Sequence, residues 1–179
     1  MLQISLSGTG GQGLILAGII LAEAAIIDGK ETIQTQSYGP EARGGASKAE
    51  VIISNNPIDY PKVLNADILL AMSQEACNKY SGLVGAGGQM IVDTSLVWEI
   101  PNVAAKVIPL EITRVAKEEL GKEMVANIIA MGALVGLTGV VSVEGLKAAV
   151  LARVPKGTEQ LNMQALELGF KMVEGLAKN

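Results

Sequence analysis

The residues with the clearest chemical potential form a glycine-rich segment near the N-terminus. This segment consists of Gly8, Thr9, Gly10, Gly11, Gln12 and Gly13. Three of its glycines match the spacing G-x-G-x-x-G, which lets backbone N–H groups approach an anion at a helix N-terminus. The partial positive charge at the start of a helix favours phosphate there. The segment therefore predicts a phosphate-bearing ligand, and glycines that serve only tight packing are the alternative.

A second candidate loop follows the next predicted strand. Its candidate residues are Ser37, Tyr38, Arg43, Gly44 and Gly45. Arg43 is a planar, permanently charged donor that suits phosphate or carboxylate, although an exposed arginine on a turn would look the same. We expect a βαβ unit to place the first two strands side by side. Both loops would then lie at the sheet edge where open α/β sheets bind ligands.

The end of the second predicted strand is informative because a dinucleotide site needs an acidic residue there to hold the ribose hydroxyls. Thr35, Gln36 and Ser37 occupy that end, whereas Asp28 and Glu31 lie at the opposite one. This arrangement disfavours NAD and favours another phosphorylated ligand or a partner subunit. An independent NAD(P)- or flavin-binding enzyme remains an alternative, and it would also need a proton-transfer group.

The elements that must position these loops alternate between strand and helix. Strands are predicted at residues 2–7, 32–36, 50–54, 67–72 and 89–93. Helices are predicted at residues 14–27, 74–84, 112–120, 124–137, 143–152 and 159–176. The order predicts an α/β, Rossmann-like fold with a mostly parallel sheet, helices on both faces and a helical C-terminal third. A length of 179 residues is consistent with a single domain over residues 1–179.

Two other glycine groups are assigned structural roles. The glycine-rich residues 82–88 precede a strand instead of linking a strand to a helix, and we interpret them as a turn. Gly132 and Gly136 put small residues on neighbouring turns of a predicted helix. That spacing is typical of close helix packing.

The composition excludes several classes of function. The chain has no histidine and a single cysteine, Cys77, so it cannot alone supply a four-cysteine cluster or a histidine-based metal site. Cys77 lacks the usual base that would activate a nucleophile, and we predict that it is buried and structural. A formal net charge of -4 without a basic stripe argues against nucleic acid. The longest apolar stretch is too short to span a membrane, so we expect a cytoplasmic protein.

The balance of apolar and aromatic residues bears on assembly. Apolar residues make up 49% of the chain, which suggests surface meant for burial against other subunits. Aromatic residues make up only 3%. We therefore expect the large aromatic anchors of any interface to come from the partners.

The segment GTGGQG, together with QSYGPEARGGASKAEVIIS, resembles the gamma subunit of the 2-oxoacid:ferredoxin oxidoreductases. The resemblance covers almost the whole chain, and the form YGPEARGGASK is most similar to the 2-oxoglutarate type. Pyruvate-type and branched-chain-2-oxoacid-type gamma subunits are the alternatives within the family. The family's glycine motif falls on residues 8–13, and its second loop includes Ser37, Tyr38, Arg43, Gly44 and Gly45.

The resemblance implies oxidative decarboxylation of a 2-oxoacid to its acyl-CoA, with electrons passed to ferredoxin. It implies alpha and beta partner subunits, with delta as an optional fourth, that hold thiamine diphosphate and iron–sulfur clusters. This chain would help to bind coenzyme A at a shared site, would carry no catalytic residue and would be inactive alone. A purely structural assembly subunit, whose glycine loop binds nothing, is the alternative of a different class.

Overall fold

The computed structural model describes residues 1–37 and 45–176. The strands are β1 (Leu2–Thr9), β2 (Glu31–Ser37), β3 (Ala46–Ser54), β4 (Ala66–Ala71), β5 (Val84–Asp93) and β6 (Lys106–Leu110). The α-helices of the described part are α1 (Leu14–Ile27), α2 (Gln74–Tyr80), α3 (Ile112–Leu120), α4 (Ala126–Thr138), α5 (Val143–Arg153) and α6 (Glu159–Met172).

The strands form one mixed, mostly parallel sheet in the order β2-β3-β1-β4-β5-β6. Strands β1, β4, β5 and β6 pair in parallel, and β3 runs antiparallel to both of its neighbours. All strands other than β3 consequently end at the same edge, which we call the carboxyl edge. The predicted α/β fold class, with its helical C-terminal third, is confirmed.

The prediction that β1 and β2 are neighbours is wrong. Strand β3 lies between them, with Leu2 opposite Ile53 on one side and Glu31 opposite Ser54 on the other. Strand β3 also starts at Ala46, four residues earlier than predicted, because residues 46–49 are too small and polar to give a strand pattern. The chain after β2 therefore folds back as an antiparallel hairpin before it returns to β1.

Two further differences concern the glycines before β5 and the short strand β6. Residues 82–88 are not a turn, since β5 already begins at Val84. A Cβ on Gly88 would lie 3.1 Å from the Asp67 carbonyl oxygen, so glycine allows β4 and β5 to approach closely at an irregularity in their register. Strand β6 was not predicted, because its outward Lys106 and Pro109 interrupt the apolar run.

Two cores lie on the two faces of the sheet. Alternate residues of β4 separate between them, so Ile68 and Leu70 belong to one core and Leu69 and Ala71 to the other. The first core joins the sheet to α1, α4, α5 and α6, and the second joins it to α2 and the chain after β5. Cys77 lies fully buried in the second core, and burial raises the pKa of its thiol, which agrees with a structural role.

The α4–α6 crossing is a backbone contact between glycines. A Cβ on Gly132 would lie 2.3 Å from the Leu166 carbonyl oxygen, and one on Gly169 would lie 2.1 Å from that of Ile129. The predicted role of Gly132 in close helix packing is confirmed. Among the described residues, no helix is long and apolar enough to cross a membrane.

We predict that Gly132→Ala lowers the free energy of unfolding by about 1 to 3 kcal/mol, because the added methyl group forces α4 and α6 apart. Gly82→Ala is the matched control, since a Cβ there meets nothing within 4 Å. Urea denaturation followed by circular dichroism measures both variants. Equal stability of the two variants would contradict the backbone contact.

Candidate functional site

The glycine loop, residues 8–13, connects the carboxyl end of β1 to the start of α1. Gly11 and Gly13 adopt left-handed backbone conformations with φ of 94° and 73°, which other residues rarely adopt. Gly13 is also the N-cap of α1, and no side chain caps this helix. The first N–H groups of α1 are therefore free of a side-chain partner, as an anion site at a helix start requires.

Gln12 fixes the shape of this loop from within. Its Oε1 accepts a hydrogen bond from the Thr9 backbone N–H at 2.8 Å, and its Nε2 donates to the Met72 carbonyl oxygen at 2.8 Å. Gly8 leaves room for this side chain, because a Cβ there would lie 2.2 Å from Gln12 Oε1. Both ends of the Gln12 amide are thus used inside the chain, where they tie the loop to the end of β4.

Gly10 differs from the other glycines of the loop. Its φ is not in the left-handed region, and a Cβ at this position would meet nothing within 4 Å. Backbone conformation or packing accounts for Gly8, Gly11 and Gly13, but neither accounts for Gly10. An open approach to the backbone at Gly10 is what a closely bound external group would use.

Two cavities flank the glycine loop. One of about 270 Å³ lies towards β4 and α3 and includes Gln12, Met72 and Thr113 in its lining. The other, of about 280 Å³, lies towards α6 and includes Gly13, Asn127 and Asn162. Both are also lined by Gly11 and Met124, so the loop is the partition between them.

A buried carboxylate fixes the position of Thr113, which lines the first cavity. Asp93, at the end of β5, accepts hydrogen bonds from the Thr113 hydroxyl at 2.5 Å and the Thr113 backbone N–H at 3.1 Å. It also accepts one from the Ser95 backbone N–H at 3.0 Å. These contacts join β5 to the start of α3, so we assign Asp93 a structural role.

The second predicted loop is only partly described. Tyr38, Arg43 and Gly44 lie outside the described residues, and their predicted site roles remain predictions. Gly45 directly precedes Ala46, which pairs with Thr9 at the end of β1. Ser37 pairs with Lys48, which in turn pairs with Ser7. Gly45 and Ser37 therefore lie at the carboxyl edge with the glycine loop, but Ser37 is separated from β1 by one strand, or about 10 Å.

An ion pair that the sequence analysis missed lies beneath this edge. Lys48 and Glu50 lie two residues apart on one face of β3, and their side chains form a salt bridge that is largely shielded from solvent. Lys48 Nζ also lies 5.4 Å from the centre of the Tyr80 ring. Their spacing of two residues was visible in the sequence, but the late predicted start of β3 concealed that they share a face.

Two polar contacts hold α5 against α1 and so set one wall of the second cavity. Partial burial tends to raise the pKa of Asp28, but hydrogen bonds from the Ser142 hydroxyl and backbone N–H outweigh it and lower the pKa. The hydrogen bond from Arg153 lowers the pKa of Glu23, even though burial opposes it. Arg153 ends α5, and the adjacent Val154 lines the cavity.

These features define an open α/β domain with its candidate ligand crevice at the carboxyl edge of the sheet. The chain belongs to the pyruvate ferredoxin/flavodoxin oxidoreductase family, whose characteristic sequence pattern matches residues 3–172. It is 50% identical to the 2-oxoglutarate synthase subunit KorC of Methanocaldococcus jannaschii, over 97% of this chain and 95% of that one. It is 30% identical to the pyruvate synthase subunit PorC of Methanothermobacter thermautotrophicus, over 100% of this chain and 99% of that one.

Solved structures support the same assignment. The keto/oxoacid ferredoxin oxidoreductase gamma subunit of Geobacter sulfurreducens superposes with a TM-score of 0.89 at 50% identity, over 98% of this chain and 99% of that one. The 2-oxoglutarate:ferredoxin oxidoreductase of Magnetococcus marinus has a TM-score of 0.88 at 23% identity, over 99% of this chain but 32% of that one, which shows the shared fold. The predicted resemblance to a gamma subunit of an oxidoreductase complex is confirmed.

We predict that Gly13→Ala lowers the free energy of unfolding by about 1 to 2 kcal/mol from backbone strain alone. A Cβ there would also lie 2.5 Å from Asn127 Nδ2. Gly10→Ala should leave stability unchanged or raise it by up to about 1 kcal/mol, because it meets no steric conflict and restricts the unfolded chain. Thermal unfolding of the two variants compares them, and equal losses would contradict the assignment of Gly10 as unconstrained.

Proposed function

We propose that this chain is the gamma subunit of a 2-oxoglutarate:ferredoxin oxidoreductase and that its glycine loop helps to bind coenzyme A in the assembled enzyme. The 2-oxoglutarate assignment is supported by relatives named 2-oxoglutarate synthase subunit KorC at 40% to 50% identity. The coenzyme A assignment is carried by the open approach to Gly10 beside the uncapped start of α1. The Magnetococcus marinus structure contains coenzyme A and succinyl-CoA, which fits this proposal.

The chemistry of the reaction indicates which cofactors the other subunits of the complex must hold. Thiamine diphosphate would supply the decarboxylation, and iron–sulfur clusters would carry the electrons to ferredoxin. The sequence has a single cysteine, which cannot supply a four-cysteine cluster, and the family resemblance implies that thiamine diphosphate is held by partner subunits. We therefore assign both groups to the alpha, beta and, where present, delta subunits, in a cytoplasmic complex.

The carboxyl edge also carries a feature suited to subunit contact. Trp98, the sole tryptophan of the chain, is 81% exposed on the segment between β5 and β6. Gln74 holds this segment in place, because its Oε1 accepts from the backbone N–H groups of Trp98 and Glu99 at 2.9 and 3.0 Å. A rigidly presented tryptophan is a typical interface anchor. Under this proposal at least one aromatic anchor comes from this chain, whereas the composition led us to expect such anchors from the partners.

A purely structural role for the glycine loop is the competing proposal. It accounts for Gly8 and Gly13, which are constrained by their neighbours and backbone, but not for Gly10. Coenzyme A kinetics of the assembled complex distinguishes the two proposals.

We predict that Gly10→Asp raises the KM for coenzyme A about tenfold or more, because a carboxylate at the loop repels phosphate and removes its approach to the backbone. The variant complex should still co-elute on size exclusion. Gly82→Asp is the matched control, since Gly82 also faces open space but lies at the opposite edge of the sheet. An unchanged KM for Gly10→Asp would favour the structural alternative.

Arg43 offers an independent test of the second loop. We predict that Arg43→Ala raises the KM for coenzyme A about tenfold while the subunits still co-elute, because a charge-assisted hydrogen bond to a ligand contributes about 1.5 to 3 kcal/mol. Arg43→Lys should retain part of the affinity, since phosphate accepts a point charge better than a bidentate carboxylate does. Dissociation of the complex in both variants would instead identify Arg43 as an interface residue.

We predict that Trp98→Ala weakens assembly with the sister subunits by about 2 kcal/mol or more, roughly a thirtyfold rise in the dissociation constant. Leu64→Ala is the control, because Leu64 is 69% exposed but precedes β4 at the other edge. Labelling this chain with 5-fluorotryptophan gives one fluorine resonance, which should shift on assembly. A resonance that keeps its solvent-exposed position in the complex would refute the anchor role.

A further inference from the structure

The two outer strands of the sheet differ in how their free edges are protected. Strand β6 is short and carries Lys106 and Pro109, residue types that discourage pairing with a further strand. Strand β2 is seven residues long, contains neither residue type and pairs with β3 in an unbroken register. Within the described ranges, no strand pairs with its other side. Strand β2 therefore presents a row of backbone donors and acceptors that another strand can use.

Helix α1 adds an apolar surface to this edge. Its one polar side chain is that of Glu23, and a helix of such composition is normally buried on every side. Ile26 is nevertheless 61% exposed, and Ile15 and Ile19 are partly exposed. Because they are spaced by three or four residues, these isoleucines share one face of the helix with Ala22. We call Ile15, Ile19, Ala22 and Ile26 the isoleucine face.

The isoleucine face lies beside the free edge of β2. Helix α1 rests on β2 and β3, because a Cβ on Gly18 would lie 3.6 Å from Gln34 Nε2 and 2.8 Å from the Ala49 Cβ. The opposite side of α1, which includes Ala17 and Leu21, is fully buried in the core that α4 shares. The isoleucine face therefore points away from the core and over the outer edge of the sheet.

The isoleucine face is complementary to itself. In an antiparallel pair of α1 helices, Ile15 would lie opposite Ile26 of a second copy, and Ile19 would lie opposite Ala22, a large side chain against a small one. Neighbouring strands are about 4.8 Å apart, and α1 lies over β2 and β3. Two α1 helices above a β2–β2 pair would therefore be about 10 Å apart, a normal distance for packed helices.

The helix pair and the strand pair can share one two-fold axis. The middle of the isoleucine face lies about 4 Å beyond Gly18, which rests against Gln34. Strand β2 runs in the opposite direction to α1, so one residue before Gln34, about 3.3 Å away, Ile33 reaches the same level. An axis beside Ile33 would place Glu31 opposite Thr35 of the second copy. No like charges would then face each other between the two strands.

We propose that β2 and the isoleucine face form a symmetric interface between two copies of this chain. The two β2 strands pair in antiparallel fashion to give one continuous sheet, and the two α1 helices pack across the same axis. A second copy fits this surface because the surface complements itself, as a two-fold interface requires. In the assembled oxidoreductase this contact joins two sets of subunits. The inference goes beyond the proposed function and does not rest on it.

Sedimentation equilibrium of the full chain measures the oligomeric state. We expect the wild-type chain to be a dimer with a dissociation constant of about 1 µM or less. Ile26→Asp should raise that constant at least about 100-fold, because the two-fold axis buries two carboxylates against apolar side chains. Leu64→Asp is the matched control and should leave it unchanged. Leu64 is 69% exposed and contacts Gln3 of β1, two strands away from β2.

A charge-pair variant tests the antiparallel arrangement itself. Ile15→Lys alone should also weaken the dimer. The double variant with Ile15→Lys and Ile26→Asp should dimerise at least about tenfold more tightly than either single variant, because each lysine then faces an aspartate of the other copy. Residues 15 and 26 of one helix are about 16 Å apart, so these side chains can pair only between copies.

A monomeric wild-type chain would overturn the inference, and so would a dimer that Ile26→Asp leaves intact. A double variant that dimerises no better than the single variants would overturn the antiparallel pairing on which the inference depends. If the wild-type chain is monomeric and Ile26→Asp weakens its binding to the sister subunits, the face belongs to a different partner and the second-copy proposal is wrong. The kinetics of the Gly10 and Arg43 variants test the coenzyme A proposal separately, so either proposal can fail alone.

Discussion

The Gly13 carbonyl oxygen joins the glycine loop after β1 to α4 in the C-terminal part of the chain. It accepts the first helical hydrogen bond of α1, from the Ala17 N–H at 3.0 Å, and a second from Asn127 Nδ2 at the start of α4. The carbonyl belongs to a residue in the left-handed conformation, which glycine adopts without strain. This shared acceptor connects the glycine loop, the start of α1 and the start of α4, and the contacts of Gln12 hold the same loop to the end of β4.

A backbone contact elsewhere keeps Asn127 in place. Because Gly132 and Gly169 let α4 and α6 touch at main-chain distance, the start of α4 is held relative to the start of α6. Helix α5 is held to α1 by Asp28 and Arg153, so the opposite wall is fixed by polar contacts near the surface. The walls of the cavity towards α6 are thus held by packed helices and by polar contacts.

Local patterns predicted much of this structure. The glycine spacing between β1 and α1, the apolar run of α1 and the helical period after residue 112 each depend on near neighbours in the chain. The position of β3 could not be predicted in this way, because Ala46 and Ser47 resemble loop residues until they pair with the end of β1. Pairing across strands is a tertiary effect that overrides local preference.

The residues that the sequence analysis missed also depend on contacts between distant parts of the chain. Asn127 lies 114 residues from Gly13, and its type alone gives no indication of that contact. The exposure of Trp98 depends on how Gln74 holds the following loop, which sequence spacing does not reveal. Motifs therefore located the candidate loop, whereas long-range contacts determined which side chains surround it.

The sheet and the contact that α4 makes with the glycine loop come from different parts of the chain. Every strand of the sheet in the described structure ends by Leu110, before Asn127 occurs in the sequence. An N-terminal fragment that ended there would contain the entire glycine motif and all of these strands, yet it would lack the donor that holds the Gly13 carbonyl. The presence of the motif in a truncated homologue is therefore insufficient evidence that the glycine loop has the shape described above, because α4 in the helical C-terminal third helps to hold that loop.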